Sequence, residues 1–90
     1  MQHMQDCIQR TCQEMQNFLL QKNEAYGDSV ANPIRIFAKS LTSLEQVDVR
    51  IDDKLNRLMR GTEYTGDDTV KDLCGYLLLR MALQLYGEDR

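Results

Sequence analysis

Apolar residues return every three or four positions in three separate stretches of this chain, and that period leaves little besides α-helix for it to fold into. In the first stretch, residues 4–25, the stripe is Met4, Ile8, Cys12, Met15, Phe18 and Leu19. In the second, the inner face is Leu44, Val47, Ile51, Leu55 and Leu58. It opens at Thr42-Ser43-Leu44-Glu45, a capping box in which the Thr hydroxyl and the Glu carboxylate satisfy each other's free backbone N–H groups. Gly61 is placed to end it in a left-handed conformation. The third runs to about residue 86, ahead of Gly87, with Val70, Leu73, Cys74, Leu77, Leu78, Met81, Ala82 and Leu85 apolar. Gly66 or Asp67 can cap it, and Asp67 and Asp68 fall in its first turn, where the helix dipole favours negative charge.

Tyr26-Gly27-Asp28-Ser29 breaks the first pattern, because Gly27 is free to take a positive φ. Asn32 followed by Pro33 is a cap and first-turn signal, so a short helix is expected over residues 33–39. No strand pattern, repeat or low-complexity tract is evident. The fold class is therefore all-α: a single domain over residues 1–90, a small bundle of three long helices and one short one. Tyr76, Leu79 and Leu83 widen the third apolar surface beyond what one neighbouring helix needs. Ninety residues is also near the size at which a lone core is marginal, so completion by homo-oligomerisation is expected.

Composition narrows the partners. A formal net charge of -3 argues against binding DNA or RNA polymers, or acidic membranes, through bulk electrostatics. Three cysteines, odd in number and without a CxxC pair, read as small buried hydrophobes in a reducing cytoplasm. The longest apolar run, Leu77-Leu78-Leu79, is far too short to span a bilayer. A cytoplasmic protein is expected, in the host cytoplasm if it is phage-encoded. His3, the one histidine, lies at the fraying start of the chain, so no Ser/His/Asp or Cys/His nucleophile can be built, and no Gly-rich phosphate loop is present.

Chemistry concentrates in three polar blocks. Arg50, Asp53, Lys54 and Arg57 follow i, i+3, i+4, i+7 spacing beside the second apolar stripe. Arginine can bond two phosphate oxygens with its planar fork, Lys adds a compact charge, and Asp53 can hold a guanidinium in place; the plainer reading is a surface ion-pair ladder. Asp68 and Asp72 are four apart, as are Glu24 and Asp28. Carboxylate pairs on two helices can converge on Mg²⁺, although acids at helix ends commonly serve as caps. Tyr26 and Tyr76 can stack on a base or donate to phosphate, or sit at a core edge with the hydroxyl in water. The candidate nucleotide-binding set is Lys22, Tyr26, Arg50, Lys54, Arg57 and Tyr76; the candidate metal set is Glu24, Asp28, Asp68 and Asp72.

Taken in order, the blocks resemble the nucleotide modification associated domain family of phages and bacteria. Its K-N-x-x-Y-G-x-S element appears as Lys22, Asn23, Tyr26, Gly27 and Ser29. Its R-x-x-D-K-x-x-R-L element appears as Arg50, Asp53, Lys54, Arg57 and Leu58, and its D-T-x-x-D-L-x-G-Y element as Asp68, Thr69, Asp72, Leu73, Gly75 and Tyr76. That family looks like a relative of the all-α, MazG-like nucleoside triphosphate pyrophosphohydrolases. The resemblance implies a helical bundle often completed by a second subunit, acids from two helices on Mg²⁺, and a metal-activated water cleaving between the α and β phosphates. The chain departs from the enzyme pattern: in place of E-x-x-E the first helix offers Glu24 and Asp28. Thr65 and Gly66 stand where a Glu is expected before the third element, with Glu63 further back. The completeness of the catalytic acid set is thereby in question, and no catalytic residue is assigned. Two nucleotide readings follow, a Mg²⁺-dependent pyrophosphohydrolase and a non-catalytic protein that sequesters a signalling, for instance cyclic, or modified nucleotide, as in phage counter-defence. A purely structural helical oligomer is the third reading.

Overall fold

The computed structural model describes residues 3–61, 66 and 68–88, and among them it contains three α-helices and no strand. They are α1 (Met4–Ala25), α2 (Ser43–Arg60) and α3 (Thr69–Glu88). The fold is all-α. The caps explain where α2 begins and ends. Thr42 Oγ1 accepts from the Glu45 N–H at 3.1 Å, and the Thr42 N–H donates to Glu45 Oε1 at 2.9 Å, completing the capping box. These bonds favour the ionised carboxylate and hold Glu45 below its ordinary pKa. Gly61 takes φ 68° and ends the helix.

α1 ends in a Schellman motif. The Asp28 N–H reaches back to Asn23 O at 3.2 Å and the Gly27 N–H to Glu24 O at 3.3 Å, with Gly27 at φ 59°. Asp28 is itself left-handed, φ 60°, a conformation that Asp tolerates better than most residues; here Asn23 Nδ2 donates to its Oδ1 at 2.7 Å. α3 is capped by Asp68, whose Oδ1 accepts the Lys71 N–H at 3.0 Å. Asp68 thus stands just ahead of the first turn instead of within it. The candidate cap Asp67, and Glu63 and Thr65, lie outside the described residues.

α2 and α3 pack antiparallel. Two ion pairs mark the register, Arg80 Nε to Asp48 Oδ1 at 2.7 Å and Lys54 Nζ to Asp72 Oδ2 at 3.5 Å: six residues forward along α2 correspond to eight backward along α3. Val47 is buried between them, Leu44 and Ile51 are half-buried, and Leu55 and Leu58, which the pattern put on the inner face, remain exposed. The C-terminal half of α1 meets α3. Gly75 is the crossing point, where a Cβ would lie 3.4 Å from Leu19 Cδ2, 3.8 Å from Met15 Cε and 3.9 Å from Phe18 Cε1. A Cβ at this position meets them at ordinary contact distance, whereas a longer side chain would enter the space they fill.

Two sequence expectations need correction. Residues 33–39 form turns and bends, not a short helix. So short a helix needs a buried face to offset its nucleation cost, yet Ile34 is 80% exposed and Phe37 fully exposed. Arg35 instead ties the segment to the start of α2, its Nε donating to Leu41 O at 2.9 Å and its Nη2 to Ser43 Oγ at 3.0 Å. Nor are the cysteines buried: Cys12 and Cys74 are exposed, Cys7 is half-buried, and none of the three is in a disulfide.

The molecule is open for its size. Its radius of gyration is 14.9 Å, where a compact chain of this length gives roughly 12 Å. Its surface of 7422 Å² exceeds by about 2,000 Å² what a folded monomer of this mass exposes. No helix among the described residues is long and apolar enough to cross a membrane.

Candidate functional site

The ties described above fold residues 26–42 back toward the helices. Ser43 Oγ, which accepts from Arg35, also donates to Ala31 O at 2.9 Å, so the first residue of α2 is stitched to the middle of the connection. Together with the C-terminal half of α1, the first two turns of α2 and the near face of α3, this segment walls a cleft of about 550 Å³, within the usual size range for small-molecule sites.

Four of the six residues expected to bind a nucleotide line this cleft. Lys22 and Tyr26 come from the end of α1, Arg50 from α2 and Tyr76 from α3. Lys22 is steadied by Phe18, with its Nζ 4.6 Å from the ring centroid, while Lys71 from α3 lies 4.4 Å from the same centroid. The Lys71 contact links α1 to the start of α3 at the cleft wall, whereas the Lys22 contact lies within α1. Tyr26 is exposed and Tyr76 half-buried, so one ring is free to cover a ligand while the other forms part of the wall.

The remaining two basic candidates are placed differently. Lys54 is turned to Asp72 and, like Arg57 further along α2, does not line the cleft. The i, i+3, i+4, i+7 stripe therefore divides: Arg50 faces the cleft and Lys54 serves the α2–α3 contact. The acids are divided too. Asp72 is the one carboxylate on the cleft wall among the described residues, and Lys54 engages it. Asp28 lines a second, mainly apolar cleft of about 440 Å³ on the other side of Leu19 and Asn23, and its carboxylate takes the Asn23 amide. Glu24 is exposed on the last turn of α1, and Asp68 caps α3. Because α1 stops at Ala25, the four-residue interval from Glu24 to Asp28 does not put both acids on one helical face. Among the described residues no group of three or more His, Cys, Asp or Glu side chains is placed to hold a metal ion.

Other cleft residues were not singled out by their sequence pattern. Val30, Pro33 and Ile34 arrive with the folded connection, and Ser43, Gln46 and Val47 stand on the α2 face that carries Arg50. The signal for Gln46 was present, since it sits one turn before Arg50, but a Gln at that spacing is indistinguishable from a solvated helix residue. Comparison with family models, curated proteins and solved structures finds no match.

Proposed function

We propose that this chain binds a nucleotide in the cleft between α1, α2 and α3 and holds it without hydrolysing it, as a protein that sequesters a signalling or modified nucleotide would. The observation carrying this reading is the wall itself: Lys22 and Arg50 beside Tyr26 and Tyr76 in a mainly apolar cleft, with its one carboxylate among the described residues, Asp72, paired with Lys54. Cations suit the phosphates, tyrosine rings suit the base, and the local charge is positive although the whole chain is net negative. The resemblance of the three polar blocks to the nucleotide modification associated domain family supports the same ligand class.

The alternative is the Mg²⁺-dependent pyrophosphohydrolase that the family relationship implies, and Asp72 on the cleft wall is the observation in its favour. It requires Asp72 to exchange Lys54 for a cation. Thermal unfolding against linear and cyclic nucleotides, each with Mg²⁺ and with EDTA, separates the two, since a ligand specific to the folded state raises the midpoint. A shift that survives EDTA, is lost in Arg50→Ala and comes with no pyrophosphate release supports sequestration. A Mg²⁺-dependent shift with pyrophosphate release supports hydrolysis, and no shift with any nucleotide removes both.

Self-association belongs to the same proposal. The about 2,000 Å² of surface beyond the monomer expectation exceeds the roughly 800 Å² per partner that a stable interface buries. The exposed apolar side chains of α1 and α3, among them Met4, Ile8, Leu78, Met81 and Leu85, suit a second copy. Light scattering on the purified chain tests this. Met81→Glu, at a position 66% exposed in the single chain, is expected to shift the mass toward monomer with helicity retained; a wild-type monomer at high concentration overturns it.

A further inference from the structure

Gln46 lines the nucleotide cleft, but its Nε2 is buried and has no hydrogen-bond partner. Polar groups nearby are otherwise engaged: Ser43 Oγ between Arg35 and Ala31, and Arg35 Nε on Leu41 O. A buried polar atom without a partner is a standing cost, and the open side of this residue is the cleft. An amide that turns its N–H inward meets whatever occupies the space.

We propose that Gln46 reads the base of the bound nucleotide, and that between the two purines it selects adenine. This rests on the nucleotide reading of the cleft. Lys22 and Arg50 are the better phosphate ligands, being charged, whereas Gln46 is neutral, and the same cleft is lined by the apolar side chains of Val30, Ile34 and Val47. Those surroundings suit a base. A primary amide presents a donor and an acceptor side by side, the complement of adenine's ring-nitrogen acceptor and exocyclic amino donor. The corresponding guanine edge presents two acceptors and calls for two donors, which Arg supplies and Gln does not.

The test is Gln46→Met, which keeps side-chain length and removes the amide, titrated by calorimetry beside wild type with ATP and cyclic di-AMP and with GTP and cyclic di-GMP. Wild type is expected to favour an adenine probe over its guanine counterpart by tenfold or more. Gln46→Met loses at least tenfold for that adenine probe, changes less than threefold for guanine, and unfolds at the same or a higher temperature without ligand, since an unsatisfied group has been removed. Unchanged adenine affinity in the variant, or equal losses for both bases, overturns the role of Gln46 while leaving the nucleotide reading intact. Failure of wild type to bind any of the four overturns the adenine proposal, and only failure across the full nucleotide panel overturns the nucleotide reading with it.

Discussion

α2 and α1 are helices of similar length held in opposite ways. α2 is closed at both ends by its own residues, Thr42 with Glu45 at one and Gly61 at the other, and is tied to α3 by ion pairs two turns apart. α1 starts at His3 with no side-chain cap bond, and its N-terminal half leaves large apolar side chains at the surface: Met4 is 74% and Ile8 56% exposed. An isolated helical segment of that length is marginal in water. The difference teaches that α2 and α3 form the scaffold, whereas α1 depends on one crossing at Gly75 for its place in the fold and on a further surface for its free half. Since α1 brings Lys22 and Tyr26 to the cleft, the candidate site is as secure as that crossing.

The sharpest way to break this comparison is at Met15, buried in the crossing. Met15→Ala is expected to cost about 2 kcal/mol or more and to lower the unfolding midpoint, whereas Ile8→Ala on the free half changes the isolated chain by about 0.5 kcal/mol or less. Equal effects would mean that α1 is held along its whole length. Gly75→Leu is next: the side chain enters space already filled by Leu19, Met15 and Phe18 and costs about 1–3 kcal/mol, with loss of nucleotide response as α1 is displaced. Gly75→Ala places its Cβ in ordinary contact, 3.4 Å from Leu19, and gains helix propensity, so it is expected to be neutral or stabilising.

On the scaffold side, Thr42→Ala removes the α2 cap and is expected to cost about 1 kcal/mol in denaturant unfolding. The same box carries a pH signature. Because Glu45 is held below its ordinary pKa in the folded chain, its contribution is fully present above the unfolded value and fades as pH falls through the lowered folded one. Glu45→Gln should therefore destabilise at neutral pH and lose less further stability on acidification; parallel curves for the two proteins would remove the capping box as the cause. The smallest effect is expected from Asp48→Asn, since the pair with Arg80 is about two-fifths exposed on each side and worth about 0.2–1 kcal/mol, decreasing with added salt.

The helices and their punctuation were legible because their causes are local. Thr42 and Glu45 are three residues apart, Gly61 and Gly27 need only their own backbone freedom, and the apolar period is carried by each segment alone. The short helix at 33–39 was misread for the complementary reason: Asn32-Pro33 is a valid start, but a start persists only where a face is buried, and here Ile34 and Phe37 stay largely exposed. Burial of the cysteines was misread in the same way, from periodicity without knowledge of which face is covered.

The candidate site was legible as a list of residues and not as a grouping. Sequence alone determined that this chain is helical, where α1 and α2 stop, and that its basic residues and tyrosines cluster in three blocks, since each of these follows from bonds and spacings within a few residues. Tertiary structure alone decided that Lys22, Tyr26, Arg50 and Tyr76 share a cleft while Lys54 and Asp72 engage each other, that Asp28 turns to the opposite side of Asn23, and that Gln46 is left with a buried amide nitrogen and no acceptor. These outcomes depend on where α1 crosses α3 and how residues 26–42 fold back onto Ser43, contacts between segments far apart in the chain that no local pattern encodes.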